Sequence, residues 1–476
     1  MDLVSSTIAL GAAGAGGDPG TYFFSWFGDY NQNSVFGYKH AVSPVDDGGF
    51  FVTFNGNQFS VSGGPANSAQ RLGIAHIDKD GVYQWARLIG SSTQYDNFQY
   101  EPFDCVCDSS GNVYATGASD GGSSYLDCFI TKYNSSGSHQ WNKRHYTGDN
   151  GEAFVAVGYD PNNDKIIAIG QSIQSVSGAG QYQALFVSYN LNGSENYAKI
   201  YSGSNLNLQR HNGFVKSNGE ILHACVDENG SPYPAVISKV SNTGTVVWSK
   251  LYSNSSGNQF GGGVWGDSSN NVYVGIHNEY WSSSATGHTA IAKLTNLGAT
   301  TWIKTLSITG VTKGRPTQSI SVDADGNVYF AGTVRFSGDN EDTGVYGKLN
   351  SSGALQYCRK LGQVTNGSFT ITEIIHDQDQ SITISGNCAD SYGYAGTYLM
   401  RIPDDGSVTG NIVTSSSGPN QTIPHASVSA STSNSSISLT SVNCNSTNSN
   451  MSAGDANMSQ WSGFSSGLDS STVVFP

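Results

Sequence analysis

Seven aromatic residues recur along the chain at nearly even intervals: Trp26, Trp85, Trp141, Tyr197, Trp248, Trp302 and Tyr357, 51 to 59 residues apart. A glycine stands four residues ahead of six of them, at 81, 137, 193, 244, 298 and 353. It returns as Gly406, where the aromatic slot holds Gly410. Self-similarity at this period marks a propeller or a solenoid, because each unit buries its apolar surface only against the next copy. The interior of the unit repeats as well. A turn of Gly, Asn and Asp lies 22 to 26 residues after each aromatic, as in Asp47-Gly48-Gly49, Ser110-Gly111-Asn112 and Asp325-Gly326-Asn327. An alternating apolar run such as Val113-Tyr-Ala-Thr-Gly117 follows it. Gly, Asn and Asp tolerate the positive φ of tight hairpins.

Each unit therefore reads as four short strands, with the aromatic strand first. About 55 residues for four strands matches one propeller blade. The expected fold is all-β: a seven-bladed β-propeller of four-stranded blades over residues 21–410, with the aromatic anchors buried between neighbouring blades. Residues 1–20 form a short Gly/Ala-rich segment. Residues 411–476 contain no Lys or Arg and are dominated by Ser, Thr and Asn, yet hold alternating stretches such as Ser436-Ile-Ser-Leu-Thr440. They are expected to add strands that close the propeller, pack on it, or reach a neighbouring chain.

Composition agrees. Charged residues make up 12% of the chain, about half of the roughly 25% usual in globular domains. The 59 glycines suit turns, while 25 Tyr, 20 Phe and 8 Trp exclude a disordered chain. A net charge of -14 argues against nucleic-acid binding, which needs a basic stripe. No run approaches the 18 or more apolar residues of a membrane helix, so no membrane insertion is expected. The start, Met1-Asp-Leu-Val4, lacks the basic stretch of a cleaved signal. Seven cysteines, an odd number scattered over a long chain, suit reduced thiols in a protein assembled in cytoplasm.

Two columns of cations follow the repeat. Five residues before the repeat glycine stand Lys132, Lys239, Lys293, Lys348 and Arg401. Two residues after the anchor stand Arg87, Lys143, Lys199, Lys250, Lys304 and Arg359. Both are expected to be solvated strand positions whose stems cover aromatic faces.

Alternating strand direction puts the two tight turns of each unit on one face and the long connections on the other. The long connections are rich in Tyr, Ser, Gly and Asn, and Tyr280, Trp281, Tyr392 and Tyr394 stand out. Rigid amphipathic rings among adaptable polar residues make a binding surface, and such rings also stack on sugars. These four are the candidate binding-face aromatics.

Catalytic signatures are absent: no phosphate-binding Gly loop, no His-Glu-x-x-His and no Gly-x-Ser-x-Gly occurs. Cys105-x-Cys107 is expected to be core. Asp323-Ala-Asp-Gly-Asn327 imitates the start of a calcium loop without its later Glu, and Asp339-Asn-Glu-Asp342 is the densest acidic loop. Arg401-Ile-Pro403 is similar to a sialidase motif but falls in the basic column of the last unit. No catalytic residue, cofactor or metal is expected, and the chain is expected not to be an enzyme.

The stretch Asp108–Gly117, Phe129–Gly137 and Trp141 resembles the bacterial β-propeller repeat of the seven-bladed SBBP type. Joined to such repeats, Ile8-Ala-Leu-Gly-Ala-Ala-Gly-Ala-Gly-Gly17 resembles the opening of virion proteins of marine tailed phages, notably those of cyanobacteria. That resemblance implies a virion structural protein, in a tail, fibre or capsid surface, present in several symmetric copies. It would serve as a display or host-attachment platform. Partners would be other virion proteins through residues 1–20 and 411–476, with a host glycan or protein as a further target. The alternatives are a bacterial surface propeller that binds carbohydrate or protein, and, third, a glycan-cleaving enzyme with a carboxylate pair in a central cleft.

Overall fold

The computed structural model describes residues 23–474 apart from connections at 30–35, 43–48, 58–69, 80, 82, 91–103, 120–126, 147–151, 175–180, 203–206, 230, 254–256, 279–288, 362–367, 378–379, 390–394, 409, 416–420, 435–438, 442–444, 449–451, 455–458 and 463–467. The described residues contain strands and no helix. Consecutive strands pair antiparallel into four-stranded units over 36–90, 104–146, 153–202, 208–252, 259–308 and 311–361. A seventh unit combines three strands of 368–403 with Phe23–Asp29, which pairs with Ala395–Pro403.

The first strand of each unit touches the first strand of the next, and that of the last unit touches that of the first. The sheets thus stand radially around a closed centre, which is the propeller arrangement. Closure places the N-terminal strand beside the end of the repeat region and leaves no unpaired blade at the seam.

The aromatic strand is the fourth of its unit and not the first, so the repeat frame read from the sequence shifts by one strand. The reason lies in the contacts of the anchors. The indole N–H of Trp85, Trp141, Trp248 and Trp302 donates to the carbonyls of Ser135, Leu191, Asn296 and Ser351 in the following unit, at 3.0, 3.1, 3.0 and 3.2 Å. The Tyr357 hydroxyl donates to Asp404 O at 2.9 Å. Trp85, Trp141, Tyr197, Trp248 and Tyr357 also lie against the next unit's repeat glycine, whereas Gly353 meets the Lys304 stem. A Cβ at Gly193 would stand 2.9 Å from the Trp141 indole, in a residue whose φ is +84°. The glycine therefore serves both as a left-handed turn residue and as the seat for its neighbour's ring. Trp26 lies on the fourth strand of the seventh unit but not at the anchor position: it pairs with Tyr398, and Phe23 is the residue opposite Arg401, as Trp141 is opposite Lys132.

The cation columns cover aromatic faces as expected but are less solvated: Lys239 and Arg401 are buried and the other nine are half-buried. Lys132, Lys293 and Lys348 cap the rings of Tyr114, Tyr273 and Tyr329 at 5.0, 5.1 and 4.9 Å. Lys239 is only 3% exposed. Arg87 and Arg359 donate to the carbonyls of Gly137 and Gly406, the repeat glycines of the following units. Arg401 bonds Ser381 Oγ at 3.0 Å and stands 3.5 Å from the Asp377 carboxylate.

The tail is the largest departure from a plain propeller. Its strands attach one to each unit, always antiparallel to the outermost strand and in the reverse of chain order. Gln421–Ser427 pairs with Leu355–Leu361, Ala430–Asn434 with Thr300–Ile308, and Leu439–Ser441 with Val246–Tyr252. Asn445–Asn448 then pairs with Glu195–Ser202, Ser452–Gly454 with His139–Tyr146, and Ser459–Ser462 with Tyr83–Gly90. Leu468–Val474 finishes on Phe23–Asp29. Gly410–Ser415 pairs with both the first and the last of these strands, so the two ends of the belt meet at one clasp.

Sheet twist explains how one continuous tail serves every unit. Neighbouring strands rotate by roughly 20–25°, so a fifth strand lies about 80–100° from the innermost one and runs along the circumference. A tail of Ser, Thr and Asn suits that place, since it supplies backbone pairing to exposed edges without adding apolar surface.

Candidate functional site

The first strands surround a central cavity of about 280 Å³. Most of them carry a register shift, at Gly37/His40, Phe154/Ala156, Gln209/Asn212, Gly261/Val264, Arg315/Ser319 and Ile371/Glu373. A bulge bends a strand and re-aims the side chains after it, here toward the axis. The strands approach closely on one side: a Cβ at Gly263 would lie 2.4 Å from Ile320 N.

Two aromatic side chains dominate the wall. Phe214 and Trp265 come from adjacent units, each two residues before the start of its unit's tight turn, and both line the cavity. Their rings stand 4.5 Å apart at an interplanar angle of 32°, and each is half-buried. Val106 and Ile375, at the same position of other units, continue the apolar rim.

Polar groups line the wall four residues before the turn. Asn212 Nδ2 donates to Gln318 O at 3.3 Å, and Ser319 Oγ accepts from Ile374 N at 3.1 Å. Asp104 is buried, and its two oxygens accept from Cys105 N and Val157 N at 2.9 Å each. Glu373 is half-buried and adds a second carboxylate to the lining. The arrangement offers a ring platform, amides, a hydroxyl and a carboxylate in one concave place, as small-ligand sites do.

The tight-turn face carries a repeated polar device. Asp108 accepts from Asn112 Nδ2 at 2.8 Å and from the Tyr114 hydroxyl at 2.9 Å. Asp267 and Asp323 make the same pair of bonds to Asn271 and Tyr273 and to Asn327 and Tyr329. The calcium-like Asp323 stretch is thus a turn lock, while Asp342 of the acidic loop pairs with Arg335 at 2.7 Å. Between the last two units the device grows. Asp404 accepts from Tyr329, from Lys348 at 3.1 Å and from His376 at 3.2 Å. Burial alone would raise its pKa, but these three donors hold it at about 2.

Tyr280, Trp281, Tyr392 and Tyr394 lie outside the described residues, as does the Trp26 side chain. The structure brings together instead Phe214 and Trp265, which the sequence reading passed over. Their signal was register: both precede the repeat's acidic turn position by two, at Lys216 and Asp267. The cysteines Cys105, Cys107, Cys128, Cys225 and Cys358 are buried and form no disulfide, and burial pushes the thiol pKa of Cys107 and Cys128 up.

No protein-family model and no curated protein matches the sequence. Among solved structures the chain is similar to the endosialidase of phage phi92, at 10% identity over 79% of this chain and 67% of that one, with a TM-score of 0.39. It is similar also to a subtype N10 neuraminidase-like protein of a little yellow-shouldered bat isolate from Guatemala, at 9% identity, 66% and 97% coverage and a TM-score of 0.37. A third is the exo-β-1,3-galactanase of Phanerochaete chrysosporium, at 12% identity, 78% and 95% coverage and a TM-score of 0.35. These structures correct one expectation. The solved proteins that this fold is similar to are mostly named as glycan-cleaving enzymes, so the exclusion of catalysis does not stand. At 9–12% identity the likeness is one of fold and assigns no reaction to this chain.

Proposed function

We propose that the propeller is a glycan-recognition module of a phage particle, with the mouth of its central channel as the site. The observation that carries the glycan reading is the Phe214–Trp265 pair, half-buried on the cavity wall with a centroid separation of 4.5 Å. A sugar ring has apolar C–H faces that stack on such rings, and an equatorial rim of hydroxyls that needs amides and carboxylates. Asn212, Gln318, Ser319 and Glu373 supply that second set beside the platform. The cavity is of a size for a single sugar residue, so the site would read one residue or the end of a chain.

The particle setting rests on the likeness of the Ile8–Gly17 segment and of the repeats to virion proteins. Residues 1–20 and the outer edge of the tail belt are the proposed contacts to neighbouring subunits. The test is a glycan array probed with the purified full chain and with Trp265→Ala, with release of reducing ends measured on every positive glycan. Binding that falls at least tenfold in Trp265→Ala supports the reading. No bound glycan, or equal binding by the variant, overturns it. Release of reducing ends that is lost in Glu373→Gln makes the site a hydrolase.

A further inference from the structure

The fourth unit holds a cluster that neither the channel nor the turn devices use. His211 lies within the bulge between Gln209 and Asn212 of its strand. His223 and Cys225 are two residues apart on the adjacent strand Ile221–Asp227 and so project from the same face. One ligand atom from each of the three lies within 4.8 Å of the others, and all three residues are buried. We propose that His211, His223 and Cys225 form an internal binding site for a soft d10 cation, Zn2+ or Cu+.

The donor set fits. Imidazole and thiolate together select these metals over the hard cations that prefer oxygen. His211 Nδ1 faces His223 Nε2 at 2.8 Å, while His211 Nε2 lies 2.9 Å from Leu208 O. With its proton on Nε2, His211 donates outward to a backbone carbonyl and turns the Nδ1 lone pair inward. That is the orienting contact that metal-bound histidines make.

His223 completes the argument. Its ring meets Phe186 and Tyr201 at 88° and 73°, with centroids 5.5 and 5.9 Å away. Its Nδ1 is buried without a hydrogen-bond partner. If the two histidines merely bonded each other, His223 would give its proton to His211 and keep a bare lone pair at Nδ1 among these rings. With Nε2 on a cation the proton moves to Nδ1, and an N–H suits aromatic surroundings better than a lone pair does. Two nitrogens on one tetrahedral cation at about 2.0–2.1 Å stand about 3.3 Å apart, so the pair opens by about half an ångström on loading. Cys225 binds as thiolate, its proton leaving to solvent. The site is shut from water, so loading accompanies folding.

The experiment uses the full chain. Its metal content is measured as purified, then after unfolding with chelator and refolding with Zn2+ or with Cu+ in separate arms. Co2+ in a third arm serves as a spectroscopic probe. The proposal expects one equivalent of Zn2+ or Cu+ retained through desalting. It also expects a thiolate-to-Co2+ charge-transfer band that Cys225→Ser lacks. Retention in one arm only identifies the cation. Absence of stoichiometric metal in the wild-type chain in every arm overturns the proposal whether or not any variant folds. Equal retention by a folded Cys225→Ser chain does the same.

Discussion

Trp141 and Gly193 belong to different units yet form one joint: the indole lies on the glycine, 2.9 Å from where a Cβ would be, and bonds the carbonyl of Leu191. Gly193→Ala therefore faces both the left-handed φ of +84° and an occupied space. It should cost about 2–3 kcal/mol, against about 1 kcal/mol for Gly338→Ala, whose φ is +88° but which has nothing within 4 Å. Denaturant midpoints at unchanged slope check the ordering, and equal losses would remove the joint as a source of stability.

Removing the belt tests its role. A chain ending after Ser415 keeps every four-stranded unit but leaves the outermost strands unpaired. Hydrogen exchange should quicken at outer-strand amides such as those of Arg87–Gly90 and Lys199–Ser202, and the truncated chain should self-associate. Innermost strands should keep their protection. Unchanged exchange at the outer strands would show that the belt contributes no pairing in solution.

The fourth unit inverts a charge. Where other units place Asp108, Asp160, Asp267, Asp323 or Asp377 at the turn, it has Lys216, and Glu220 bonds both Lys216 and Lys239, at 2.8 and 2.6 Å. Glu220→Gln leaves two buried ammonium groups without their anion and should cost about 3 kcal/mol. Lys216→Asp with Glu220→Asn restores the pattern of Asp108 and Asn112 and should lie within about 1 kcal/mol of wild type. A double variant as unstable as Glu220→Gln would contradict this reading.

Acid stability should report Asp404. Its folded pKa of about 2 lies below the ordinary carboxylate value, so its contribution is complete above pH 4 and is lost as pH falls toward 2. After allowance for solvent screening, that contribution is about 1 kcal/mol. Glu220, also held at about 2, loses its contribution over a similar interval. Asp404→Asn should flatten the stability profile between pH 4 and 2 by about half. An unchanged slope in thermal unfolding across that interval would exclude the Tyr329–Lys348–His376 contacts as its cause.

Much of this architecture was legible because the repeat is written in residues with few substitutes. Trp141 and Gly193 each need the other, so period, strand content and contact between units followed from their spacing, although the anchors other than Tyr357 are half-buried where the side chain is described. The frame slipped by one strand because a linear repeat has no marked beginning. Only the pairing of Phe23–Asp29 with Ala395–Pro403 shows that the anchor strand closes a unit. The belt was hidden for a different reason. Its strands pair through backbone alone, at intervals of six to nine residues, and Ser, Thr and Asn carry no side-chain pattern that marks which edge they meet. The cover of aromatic faces by the lysines was legible from residue type, but their partial burial was not, because Tyr114 and Asp108 supply a ring and a charge that hold Lys132 close. The Phe214–Trp265 pair was hidden because its position, two residues before the turn, holds ordinary apolar residues such as Val106 and Ile375 in other units, and only the ring of inner strands brings two aromatics together.

The most direct test of the functional account is a crystal structure of the full chain with an array-positive glycan bound. The account predicts a sugar ring stacked on Trp265 at the channel mouth, with its hydroxyls on Asn212, Gln318 or Glu373. A glycan seated on the long-connection face, with the channel unoccupied by sugar, would contradict it.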